Sequence, residues 1–116
     1  MTIEFGVTSE TLDRSRALVA LRGEVDIYTA PRLKERLLEL LDGGATGVVV
    51  DLSAVTFIDS TALGVLIGGV RRLHDVGGRM ALVVATRPVE RVLTITGLDR
   101  VFAIRDTQEA ALAALG

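Results

Sequence analysis

The sequence has no cysteine, one histidine, one lysine (Lys34) and two prolines among its 116 residues. Without cysteine, disulfides, thiolate nucleophiles and cysteine metal sites are excluded, and a reducing compartment such as the cytoplasm is the expected location. Long hydrophobic runs are lacking too. The longest uncharged apolar stretch, Thr61 to Val70, is about ten residues, half of what a membrane span needs, so no membrane segment is expected. The opening Met-Thr-Ile-Glu-Phe has neither a basic leader nor an apolar run, and no secretory signal is expected. Charge of one sign is not in excess: 13 basic and 15 acidic residues give a net −2, which leaves no electrostatic footprint for DNA, RNA or anionic lipid. Direct nucleic-acid binding is therefore not expected.

What the chain does have is apolar material, with 49% hydrophobic residues and a mean hydropathy of +0.46. At this length one domain over residues 1–116 is expected, burying about two-thirds of its unfolded surface. No repeat or linker interrupts the pattern. Ile3, Phe5 and Val7 alternate with polar neighbours as in a strand with one wet face, and Ala17 to Arg22 reads as a second, more covered strand paired through a Thr11–Arg14 hairpin. Thr29 and Pro31 open a helix with Leu33, Leu37, Leu40 and Leu41 on one face, ended by Gly43-Gly44. Gly47 to Leu52 reads as a central strand buried on both faces.

A second helix starts near Ser60, with Leu63, Leu66, Ile67, Val70 and Leu73 inward, and stops at Gly77-Gly78. Met80 to Val84 is a strand, and Pro88 opens a third helix through Val92, Leu93 and Ile95 that closes at Gly97-Leu98. Val101 to Ile104 reads as a last strand, and Asp106-Thr-Gln-Glu109 as a capping box for a final Ala/Leu helix. The order ββα βα βα βα predicts an α/β fold: a mixed, mostly parallel sheet of four to five strands with about four helices.

The inventory for catalysis is thin. His74 and Ser60 lie 14 positions apart on one helix, about 21 Å, too far to share a proton. His74 has only Asp75 beside it, so an interaction with the last helix carbonyls is preferred over a metal ligand. Asp26, Asp51 and Asp59 sit near strand ends; they could do acid/base or Mg²⁺ work, but capping turns and helix starts is the preferred reading. Gly64-Val-Leu-Ile-Gly68-Gly69 lacks the lysine and the spacing of a phosphate loop. Gly64 and Gly68 stand one turn apart, where a neighbouring backbone could approach; internal packing is preferred over a partner.

The most informative segment is Val55-Thr-Phe-Ile-Asp59-Ser60-Thr61-Ala62-Leu63-Gly64. It reads as a loop that delivers an acid and two hydroxyls to the first turn of an amphipathic helix. Ser60 is then a candidate phosphoacceptor, although from spacing alone capping the helix is the preferred reading.

Asp59-Ser60-Thr61-Ala62-Leu63-Gly64 resembles the phosphorylation motif of the bacterial STAS-domain anti-sigma-factor antagonists. Gly23-Glu24-Val25-Asp26 is similar to that family's turn after the second strand, and Thr29-Ala-Pro31 and Gly97-Leu98 with Phe102 fit as well. Ala62 departs, standing where many members carry glycine. The resemblance implies the STAS fold, with helices mainly on one side of the sheet, no catalytic activity, no cofactor and no metal.

It also implies partner switching. The unphosphorylated protein binds an anti-sigma factor that is itself a serine protein kinase, which frees a sigma factor. The kinase then phosphorylates Ser60, with Thr61 the lesser candidate, and a serine phosphatase resets the switch. The partner surface is expected at Asp26, Asp59, Ser60, Thr61, Ala62, Leu63 and Gly64, and so apolar a domain could also form a weak homodimer. Two alternatives stand beside this: an unphosphorylated STAS subunit of a lipid-transport or stress-signalling complex, and a small enzyme or nucleotide-binding domain using Asp51 and Asp59.

Overall fold

Two β-strands begin the described part of the chain, which in the computed structural model covers residues 4–116. Strand β1 (Gly6–Thr11) pairs antiparallel with β2 (Arg16–Val25). The strand expected from the alternation of Ile3, Phe5 and Val7 thus begins later and runs on through the polar Thr8–Thr11; Ile3 itself lies outside the described residues. The turn between β1 and β2 explains the shift. Leu12 N–H donates to the Arg16 carbonyl, while the Asp13 carboxylate accepts from the Ser15 and Arg16 amides and pairs with the Arg16 guanidinium at 2.8 Å. This closure fixes the register, so polar side chains are carried into the ladder.

Helix α1 (Ala30–Asp42) and three strand–helix units follow: β3 (Gly47–Ile58) with α2 (Ser60–Asp75), β4 (Arg79–Val83) with α3 (Arg87–Thr96), and, after a 3₁₀ turn (Leu98–Arg100), β5 (Ala103–Arg105) with α4 (Gln108–Ala114). The sheet order is β1-β2-β3-β4-β5, with every pair after the first parallel. This is the mixed, mostly parallel sheet that the sequence implies, with five strands. Consecutive parallel strands need crossovers, and α1, α2 and α3 supply them on one face. Their buried Leu33, Leu37, Leu66, Leu73 and Leu93 meet Val19, Val48, Val50 and Leu82 of the sheet there. Each such side chain contributes about 1.5–3 kcal/mol on burial. Helix α4 covers the other face, laying Ala111 against Leu18, Val49, Ala81 and Val83.

Several details differ from the sequence reading. Ile95 is exposed, and Val89 and Leu93 form the inner stripe of α3; Ile95 sits two positions after Leu93, a step of about 200° that carries it to the outer face. Val101 is exposed and precedes β5 instead of starting it. Thr107 caps α4 by accepting from Ala110 N–H at 3.1 Å, one residue beyond the expected Asp106. Thr29 precedes α1 without a side-chain cap bond, because its hydroxyl is engaged in the preceding turn.

Candidate functional site

The C-terminal ends of β2 and β3 and the starts of α1 and α2 meet at one edge of the sheet. The segment expected to be a loop before Ser60 is strand: β3 runs unbroken to Ile58. Ser53 and Thr56 interrupt its apolar run, and register shifts at Ala20/Arg22 and Gly23/Glu24 absorb extra β3 residues against β2, so the polar residues stay in the ladder as bulges. Gly23 makes its bend at φ +84°, a backbone setting that favours glycine. Thr86, just before α3, donates its hydroxyl to the Val55 carbonyl at 3.1 Å and ties this extension down. Asp59 N–H donates to the Val25 carbonyl at 3.2 Å, which seats the start of α2 beside the end of β2.

At that start the two candidate caps have separate roles. Asp59, half-buried and extended, is the N-cap, its carboxylate accepting from Ala62 N–H at 3.0 Å. Ser60 is the first helical residue, exposed, and takes no part in the cap. This decides against the capping reading of Ser60. Thr61 is exposed beside it. Ala62 and Leu63, expected on the partner surface, are instead buried and face the core, because positions three and four after the cap turn back over the sheet. The Ala62 methyl therefore lies behind the surface and not on it.

Asp26 is half-buried and holds the β2–α1 turn. Its carboxylate accepts from the Tyr28 and Thr29 amides at 2.9 and 3.1 Å, and Thr29 Oγ1 accepts from Asp26 N–H at 2.9 Å and donates to the Glu24 carbonyl at 3.0 Å. The turn pushes Ile27 and Tyr28 outward, 61% and 87% exposed. Phe57, one residue from the end of β3 and paired in register with Glu24, is also exposed. Two of the chain's four aromatic residues thus lie in water at the edge that carries Ser60. The sequence reading missed all three residues. The available signal was a tyrosine in a turn, two residues after an acid whose carboxylate the turn uses.

Gly64 and Gly68 are exposed, and a Cβ on either would meet nothing within 4 Å. This corrects the preference for internal packing. The inward glycine is Gly69, whose Cβ would come within 2.9 Å of Met80 Cε. Gly64 and Gly68 line an open groove of about 320 Å³ between α1 and α2, with Lys34, Leu38, Leu41 and Thr61, and it begins one residue from Ser60.

The acids are committed to local structure. Asp51 is buried and accepts from Ser53 N–H at 2.8 Å and from Gln108 Nε2 at 2.6 Å, pinning α4 to the sheet, and Asp59 and Asp26 are engaged as above. Among the described residues, no three His, Cys, Asp or Glu side chains come together as a metal site, and no helix is long and apolar enough to cross a membrane.

This geometry, a mixed sheet presenting an acid-capped serine at the head of its second helix, has close counterparts. The STAS domain family profile matches residues 8–111, and the chain belongs to that family. Anti-sigma-B factor antagonist of Bacillus subtilis is 34% identical over 94 residues, covering 81% of this chain and 85% of that protein. An anti-sigma factor antagonist from Mycobacterium paratuberculosis superposes with a TM-score of 0.87 at 29% identity, covering 97% of this chain and 94% of the other. SpoIIAA of Bacillus shares the fold in its unphosphorylated form, with a TM-score of 0.80 at 24% identity over 92% and 93% of the two chains. Its phosphorylated form gives 0.75 at 22% identity over 96% and 100%.

Proposed function

We propose that this protein is a non-enzymatic, cytoplasmic anti-sigma factor antagonist whose binding to an anti-sigma factor is switched off by phosphorylation of Ser60. One observation carries the reading: Asp59 caps α2, which leaves the Ser60 hydroxyl exposed and without a structural duty. The kinship with anti-sigma factor antagonists and the existence of SpoIIAA in two phosphorylation states support it.

In the transfer, Ser60 Oγ forms a bond to the γ-phosphorus of ATP as the bond to the ADP oxygen breaks, and its proton passes to a base of the kinase. The phosphate adds about −1.5 to −2 charges. Within the chain it is tolerated, because the first amides of α2 point at it and the helix dipole favours it. For a bound partner the effect is opposite. Together with Asp59 the head of α2 then carries about −2.5 to −3 charges, combining like-charge repulsion with the cost of desolvating them in an interface. The partner surface comprises Ser60, Thr61 and Gly64 with the exposed Ile27, Tyr28 and Phe57 around them; Asp26 and Asp59 hold its two segments in place. A serine phosphatase restores the binding form.

Incubation with an anti-sigma factor kinase and ATP is expected to add one phosphate at Ser60, read by mass spectrometry, and none to Ser60→Ala. Addition elsewhere, or co-purification with a transporter ATPase in place of a kinase, contradicts the proposal.

A further inference from the structure

A second and larger cleft lies at the opposite end of α2. It is open to solvent and has a volume of about 720 Å³ between the last turn of α2, the start of β4, the 3₁₀ turn and β5, and His74 on its wall is about 21 Å along the helix from Ser60. Arg71, Arg79, Arg100 and His74 line it against a single acid, Asp75. The floor is apolar, with buried Met80 and Phe102 and the exposed Val101 at the rim. In a chain of net charge −2 this is a local reversal of sign. The ion pairs formed among the described residues use other arginines, Arg16 with Asp13 and Arg72 with Asp42, so the cleft arginines are neutralised by neither. Two of the α2 C-terminal carbonyls, which would repel an anion, already accept hydrogen bonds: Gly78 N–H donates to Leu73 O at 2.7 Å and Gly77 N–H to His74 O at 3.1 Å.

We propose that this cleft binds a small organic phosphate, its phosphoryl group on the arginines and its ring or apolar body against the floor. The planar guanidinium fork matches phosphate oxygens in pairs. The volume falls in the usual small-molecule range of about 300–1,000 Å³, and an apolar floor with a few converging polar groups is the common form of such sites. An extended acidic peptide would find charge here but no use for the apolar floor.

The test is amide NMR of the full chain, titrated separately with phenyl phosphate, inorganic phosphate, phenol and a polyglutamate peptide. Phenyl phosphate is expected to give saturable shifts confined to the amides lining the cleft, and to bind at least about tenfold more tightly than the other three. Arg71→Gln combined with Arg100→Gln should weaken it by at least about tenfold without moving the thermal midpoint, since both side chains are exposed; Arg91→Gln, outside the cleft, should change nothing. Absence of saturation, tighter binding of the peptide, or an equal loss in Arg91→Gln overturns the proposal.

Discussion

Asp59 and Ser60 are chain neighbours with different duties, and substitution separates them. Asp59→Ala removes the acceptor for Ala62 N–H and should cost about 0.5–2 kcal/mol of stability. Ser60→Ala removes an exposed hydroxyl outside the cap and should stay within about 0.5 kcal/mol; chemical denaturation of both variants checks the pair. Equal losses would mean that Ser60 shares the cap. The motif was legible in the sequence, but the assignment of roles within it was not. Aspartate and serine are equally good caps, and one residue of helix phase, set by the Asp59–Val25 hydrogen bond across the sheet, decides between them. The same phase turns Ala62 inward beside Leu63; the apolar spacing marks Leu63 as inward but is silent on the alanine.

At the scale of elements, α2 carries a cost that its own packing does not require. Gly64 and Gly68 are exposed in a helix interior, and a Cβ on either would meet nothing within 4 Å. Replacing either by alanine should raise stability by about 0.5–1 kcal/mol while weakening anti-sigma factor binding, measured by thermal melts and calorimetry on the same samples. Gly78 behaves oppositely. Its Cβ would collide with the Thr46 carbonyl oxygen, so Gly78→Ala should destabilise, because backbone cannot yield as a side-chain tip can.

The β1–β2 turn supplies a pH signature. Hydrogen bonds from the Ser15 amide, then the Arg16 side chain and amide, hold the Asp13 carboxyl at about 2 against an ordinary 3.8. A folded value below the unfolded one means that this contribution is present above about pH 4 and is lost as pH falls toward 2. Asp13→Asn should therefore flatten the acid limb of a stability profile in that window. Element order was readable because crossover helices and β-branched strands have distinct periods. The extension of β3 to Ile58 was not, because bulges let Ser53 and Thr56 remain in a strand that pattern alone would end.

For the whole molecule, the sheet separates duties by edge and by face. Helices α1 to α3 close one face and α4 the other, while the edge at the strands' C-terminal ends gathers Ser60, the outward Ile27, Tyr28 and Phe57, and the head of the glycine groove. The likeness to known antagonists spans most of the chain, so the edge and its scaffold come together. Those exposed apolar side chains escaped the sequence reading because exposure in a turn is a property of the fold: the Asp26 carboxylate that bonds the Tyr28 amide is what points the ring outward.

The central claim is that charge at Ser60 decides docking while leaving the fold alone. Calorimetric titration of the unphosphorylated and Ser60-phosphorylated chains against the anti-sigma factor measures this directly. A loss of about 3 kcal/mol, more than a hundredfold in Kd, with unchanged circular dichroism is the predicted result. Equal affinity of the two forms would contradict it.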